Sequence, residues 1–189
     1  IFASIEHSPR RSTLPTLTAE SLIELLTRYV ADTDTWVDLL LVGGLALHAY
    51  GVPTRATFDV DAELQGPLMP LRDYLTAQKI PADLTQNFSG WSAVAMPPGY
   101  RDRAVDLINR PRLRIRVLSP IDFVIAKLRR GTEIDLDDAF LVARHHQLSP
   151  ETIQDSAREA LTASPQDTTL FLFQKTVDFF CANLVSSNG

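Results

Sequence analysis

A single cysteine in 189 residues leaves no partner for an internal disulfide and too few thiolates for a cysteine-based zinc site. Cys181 sits in an apolar stretch with Val177, Phe179, Phe180 and Leu184, which reads as a buried, inert thiol. A reducing cytoplasm is the compartment this usage favours. No apolar run approaches the roughly 20 residues that a membrane helix requires, so no membrane association is expected. The stretch Ile1 to Pro15 has no basic region followed by an apolar one, and no signal peptide is expected there. Histidines are few. His145 and His146 are adjacent, so on a helix they diverge and cannot chelate together. No Ser-His-Asp or Cys-His arrangement supports nucleophilic catalysis.

With 45% hydrophobic and 22% charged residues, the chain has the make-up of a folded globular protein with a full core. Its net charge of −5 is unevenly spread. Residues 1–100 hold 11 acids and 6 bases, residues 101–130 hold 3 acids and 9 bases, and residues 131–189 hold 9 acids and 3 bases. Half of the 18 basic side chains therefore crowd into thirty residues, which in an acidic chain points to a local anion site.

Hydrophobic periodicity predicts a helix over about 18–31, a buried strand over Val37–Val42 that ends at two glycines, and a short helix from Leu45 to Tyr50 closed by Gly51 and Pro53. From Phe58 to Leu64 the pattern alternates, with Phe58, Val60, Ala62 and Leu64 on one face and Asp59, Asp61 and Glu63 on the other. That is a half-buried strand. A surface helix is expected over 70–80, strands over 88–96 and 103–108, and a third strand at Leu113, Ile115 and Val117. Ser119-Pro120-Ile121-Asp122 opens a helix that stops at Gly131. Further helices are expected over about 135–147, from Ser149-Pro150 onward, and over about 168–186. The fold class is α/β: a sheet flanked by helices over residues 1–118, then a helical region over 119–189 packed on it.

Gly43-Gly44, between a strand and a helix, tolerates positive φ and lets backbone N–H groups approach a phosphate. Asp59 and Asp61 lie on one strand face about 7 Å apart, where they repel unless they share a cation; a solvated strand face continued by Glu63 is the alternative. His48, on the helix after the glycines, reads as a satisfied helix residue. Arg112, Arg114 and Arg116 share a strand face, either as a solvated edge or as a track for RNA.

In order, Leu41-Val42-Gly43-Gly44-Leu45-Ala46-Leu47 followed by Arg55-Ala56-Thr57-Phe58-Asp59-Val60-Asp61 resembles the signature of the nucleotidyltransferase (polymerase-β-like) superfamily. The spacing from the glycines to the first acid is slightly longer than that pattern. It is close to a bacterial branch that includes AbiEii-like abortive-infection toxins and shares the Arg-x-Thr-x-Asp-x-Asp lead-in. The resemblance covers about Val37 to Leu148. It implies a nucleotidyltransferase-fold mixed sheet, a nucleoside triphosphate substrate, and Mg²⁺ or Mn²⁺ held by Asp59, Asp61 and a third acid. Asp106, alone in the apolar run Val105 to Ile108, fits that third acid as ligand or general base; an outward-facing acid on a strand edge is the alternative. Gly43, Gly44, Arg55, Thr57 and Lys127 would contact the nucleotide. Asp135 and Asp138 would either accompany that lysine functionally or pair with basic residues to hold two helices together. The implied acceptor is open: RNA (tRNA in particular), protein or a small molecule. The same branch implies a toxin paired with an antitoxin protein, and the opposing reading is a catalytically degenerate nucleotide-binding or protein-interaction module.

Overall fold

A computed structural model describes residues 16–52 and 56–186. The stretch before Thr16 and the predicted nucleotide contact Arg55 lie outside the described residues.

Helix α1 (Ala19–Thr33) starts at a reciprocal cap: Ser21 donates its N–H to Thr18 Oγ1 at 3.2 Å, and Thr18 donates its N–H to Ser21 Oγ at 2.9 Å. Its inner stripe of Leu22, Leu25, Leu26 and Tyr29 is buried. The chain continues through β1 (Val37–Leu41), α2 (Gly44–Ala49), β2 (Val60–Gln65), α3 (Leu68–Ala77), β3 (Ala82–Thr85), a 3-10 turn (Phe88–Trp91), β4 (Val105–Arg110) and β5 (Leu113–Val117). Four helices follow: α4 (Pro120–Arg130), α5 (Glu133–His145), α6 (Pro150–Ala163) and α7 (Thr169–Ser186). None of the described helices is long and apolar enough to cross a membrane.

The strands form one mixed sheet in the order β3-β2-β1-β5-β4. β1 lies at the centre, antiparallel to β2 and parallel to β5, while β2 is parallel to β3 and β4 antiparallel to β5. A central strand must be apolar on both sides, and Val37, Leu39, Leu40 and Leu41 are all buried. Helix α4 begins as its sequence dictates: Ser119 Oγ accepts the Asp122 N–H, Pro120 takes the first position, and Gly131 ends the helix at φ 65°. Phe123, Val124, Ile125 and Leu128 of α4 are fully buried, and one continuous core extends from Leu17 to Leu184.

The expected strand over 88–96 does not form. Its backbone N–H groups are taken by side chains instead of a neighbouring strand. Phe88 donates to Glu63, Val94 to Ser92, Ala95 to Ser164 and Met96 to Ser89. The edge strand that does form, β3, lies just before this segment.

The polar face of β2 also departs from a uniformly solvated one. The strand expected from Phe58 begins only at Val60, so Asp59 and Phe58 precede it and both are exposed, while Asp61 is half-buried and Glu63 buried. Glu63 Oε2 accepts the Tyr100 hydroxyl at 2.6 Å and the Phe88 N–H at 2.8 Å, and the Arg101 guanidinium pairs with the same carboxylate. Burial alone would raise the Glu63 pKa, but the bonds from Arg101, Tyr100 and Phe88 outweigh it and hold the carboxyl below the usual Glu range. A carboxyl whose pKa is lower in the folded state stabilises the fold above the ordinary Glu range, and that contribution is lost as the pH falls through the lowered value. Acidification below the ordinary Glu range is therefore expected to release the 3-10 turn. The near-UV circular dichroism of Trp91 in a Trp36→Phe background reads this; an acid-insensitive signal down to global unfolding would contradict it.

Candidate active site

β1 delivers the chain to Gly43, which caps the N-terminus of α2 with φ −104°. Neither Gly43 nor Gly44 has positive φ, so conformational freedom is not what these glycines supply. Close approach is. A Cβ on Gly43 would fall 2.6 Å from the Asp61 Cβ and closer still to Asp61 Oδ2, and one on Gly44 would fall 2.5 Å from Thr57 Oγ1. The antiparallel register fixes this: Leu41 pairs with Ala62, and Val42 donates its N–H to the Asp61 carbonyl at 3.0 Å, which brings the turn against the acidic strand. Gly43→Ala must displace the Asp61 backbone end and not merely its carboxylate tip. The expected cost is about 1–3 kcal/mol in thermal unfolding, with a smaller loss for Gly44→Ala, where the Thr57 hydroxyl can rotate away.

Asp59 and Asp61 line two clefts that meet at the strand. The first, about 460 Å³, is completed by Asp83, Phe88, Trp91, Ser92, Ala126, Arg129 and Arg130. The second, about 390 Å³, is completed by Gly44, Thr57, Phe58, Pro81, Lys127, Arg130, Thr132, Ile134 and Asp135, with Ala56 at its rim. Among the described residues, Arg130 alone joins the two aspartates in lining both clefts. Asp83 stands directly across from Asp61 in the parallel pairing of β2 and β3. Burial raises the Asp61 pKa above the usual Asp range, and the Asp59 and Asp83 charges push it further against the pull of Arg130 and Lys127. Ionised Asp61 is thus short of positive charge. Among the described residues no group of three or more His, Cys, Asp or Glu side chains forms a ready cage for a metal ion. The donors on offer are Asp61 of β2 and Asp59 just before it, with Asp83 alongside.

Residues 18–170 match the family model described as "Nucleotidyltransferase of unknown function (DUF6036)". The chain belongs to this nucleotidyltransferase family. The match begins at the cap of α1 and extends into α7, so the glycine turn, the β2 acids, Asp83 and α4 all lie within it. The mixed five-stranded sheet with flanking and C-terminal helices accords with a nucleotidyltransferase fold. No curated protein matches the chain.

In this chain, Asp106 is not with the other acids. It lies on β4, three strands from β2 and so roughly 14 Å away across the sheet. There the Arg114 guanidinium donates to it at 2.7 Å and holds its carboxyl below the usual Asp range. The acid that the fold sets beside Asp61 is Asp83. Its sequence signal was faint, because β3 is four residues long and carries one large apolar side chain, Leu84.

Lys127 is also differently employed. Its ammonium is buried between Asp138 Oδ2 at 2.7 Å and Asp135 Oδ1 at 3.2 Å, the helix-pairing role, although its side chain reaches the wall of the second cleft. Thr57 is buried against Gly44, and its carbonyl accepts the Leu17 N–H at 2.8 Å. His48 has its Nε2 buried without a hydrogen-bond partner among the described residues, contrary to the expected satisfied histidine. The arginine row is no free track. Arg112 pairs with Asp34, Arg114 with Asp106 and Arg116 with Asp38. Of the nine bases between 101 and 130, seven pair with a carboxylate.

Proposed function

We propose that this chain transfers a nucleoside monophosphate from a nucleoside triphosphate to an acceptor, with a divalent cation at Asp59 and Asp61. The observation that carries this reading is the pair of clefts meeting at Asp59, Asp61 and Arg130. An in-line displacement at the α-phosphorus needs the attacking oxygen on one side and departing pyrophosphate on the other, and two clefts joined at an acidic pair supply both sides.

The donor set suits Mg²⁺, which takes one or two carboxylates and completes its shell with phosphate and water oxygens. When bound, the cation stabilises charge on the attacking and leaving oxygens. The second cleft receives the β- and γ-phosphates: the glycine turn lets the chain approach closely, and Arg130, with 61% of its side chain exposed, supplies the mobile positive charge. Arg130, which touches Asp135 from its exposed side, takes the role expected of Lys127, whose ammonium is buried between two carboxylates. The acceptor oxygen attacks phosphorus as the bond to pyrophosphate breaks, and Asp83, which lines the first cleft across from Asp61, takes the acceptor's proton in this reading.

Incubation with labelled nucleoside triphosphates, with and without Mg²⁺, against total RNA, protein and small hydroxyl compounds tests the reading. Metal-dependent labelling of any acceptor supports it; no label on any acceptor with Mg²⁺ or Mn²⁺ overturns it. The finer reading, an AbiEii-like toxin that modifies tRNA, rests on the resemblance of the glycine turn and the Arg-x-Thr-x-Asp-x-Asp lead-in, and the ion pairing in the basic stretch removes only the weak support which that stretch added. The RNA arm of the same assay decides it. Calorimetric titration of ATP with and without Mg²⁺ separates a pure protein-interaction module, for which no metal-dependent heat is expected.

A further inference from the structure

Trp91 ends the 3-10 turn with 40% of its surface exposed, at the wall of the cleft that holds Asp59, Asp61 and Asp83. Its ring is held from behind. Phe88, buried, meets it edge-on with centroids 5.2 Å apart and planes at 75°. The Phe88 N–H is fixed by Glu63, and the Arg129 guanidinium covers the Phe88 ring at 5.1 Å. An aromatic face kept in water on a rigid support, beside a catalytic-type acid pair, is a stacking surface rather than a packing element.

Arg129 is the second, independent feature. It is half-buried and donates to the carbonyls of Val94 and Ser89, each at 2.7 Å. Among the described residues it forms no ion pair with a carboxylate, unlike seven of its basic neighbours in that window. Burial pushes its guanidinium down to about 10, the mark of a cation poorly compensated in the free protein. A flat apolar face, an uncompensated cation and the Ser92 hydroxyl in one cleft match a base that carries a phosphate.

We propose that Trp91 is the stacking platform for a nucleobase in the first cleft, with Arg129 drawing in the phosphate attached to it. This rests on the transfer reading above, in which the second cleft takes the pyrophosphate and leaves the first for a base. That base belongs either to the donor nucleotide or to the terminal residue of a nucleic acid acceptor.

The chain has two tryptophans, so a Trp36→Phe background makes Trp91 the sole reporter. ATP, UTP, a short single-stranded RNA and inorganic tripolyphosphate are titrated against its fluorescence with Mg²⁺ present. Quenching by the nucleotides places the donor base on Trp91, quenching by RNA alone places the acceptor base there, and tripolyphosphate is expected to leave the signal unchanged. Trp91→Ala is expected to weaken binding of the quenching ligand by about 10-fold, with Trp91→Tyr recovering most of it. An unchanged Trp91 signal with ATP, UTP and RNA overturns the proposal, as does full affinity in a folded Trp91→Ala protein. Transfer that persists without quenching removes only this proposal, whereas quenching without transfer removes only the transfer reading.

Discussion

Asp61→Asn is expected to lower nucleotidyl transfer on the order of 10³-fold while raising the melting temperature of the metal-free protein. The activity loss follows from removing one of the two carboxylates that would hold the cation, whose charge stabilisation amounts to several kcal/mol in such reactions. The stability gain follows from the site's own electrostatics. Burial, then Asp59, raises the Asp61 pKa above that of the unfolded chain. The folded state therefore holds this proton more tightly, and ionised Asp61 opposes folding. That penalty is absent below the ordinary Asp range, where both states are protonated, and is complete once the pH exceeds the raised folded value. Asparagine removes it, so the gain should be present at neutral pH and vanish in acid. Mg²⁺ should raise the melting temperature of the parent protein and not that of the variant. Asp59→Asn is expected to abolish transfer to a similar degree with thermal stability nearly intact, because Asp59 is exposed. Melting curves from neutral pH to about 3, alongside the labelled transfer assay, check both. Retained transfer in either variant, or a less stable Asp61→Asn protein at neutral pH, would sink the assignment.

The parts of this site that were legible in the sequence are those written in local spacing. The Gly43-Gly44 turn and the Asp59–Asp61 alternation need only the strand period to be seen, and the fold brings both into one place. The third acid is a different kind of problem. Asp106 and Asp83 are both single acids on predicted or possible strands, and which one reaches Asp61 depends on sheet order alone. That order is set by non-local packing around β1, which no short pattern records. The ion partners of Lys127 are non-local for the same reason. Lys127 lies on α4 facing carboxylates eight and eleven residues ahead on α5, so its partners follow from how two helices pack.

The helix ends that carry a cap residue are legible because caps are local chemistry, whereas α3 and α5 begin two residues before their expected starts. Thr18, Ser119, Gly131 and Ser149 each act within four residues of themselves. The segment 88–96 failed because serine hydroxyls and the Glu63 carboxylate compete with a strand ladder for the same N–H groups. Glu63 itself looked like a continuation of the solvated face. Only the fold shows that Tyr100 and Arg101 close over it, and that closure is what presents Phe88 and Trp91 to the cleft.

Lys127→Met is expected to be the most destabilising single substitution near the site, by about 3–5 kcal/mol. Methionine keeps the apolar stem but removes the ammonium, which lies 5.4 Å from the Phe123 ring centroid and between Asp135 and Asp138. All three side chains are buried, so water cannot replace the lost charge. Thr132 and Arg130 still donate to Asp135, which offsets part of the cost. In a chain of this size the loss corresponds to a fall of roughly 6–20 °C in melting temperature. Surface pairs such as Arg158 with Asp155 behave otherwise, and Arg158→Ala should change stability by less than about 1 kcal/mol. Adding Asp138→Asn to Lys127→Met should recover part of the loss, since one buried charge then disappears with its partner. The kinetics distinguish this from a direct nucleotide contact. A purely structural Lys127 leaves KM for the triphosphate unchanged in the folded fraction below the melt, whereas a phosphate-binding ammonium would raise KM at every temperature. An unchanged melting temperature would show that the Asp135–Lys127–Asp138 cluster does not hold α4 to α5.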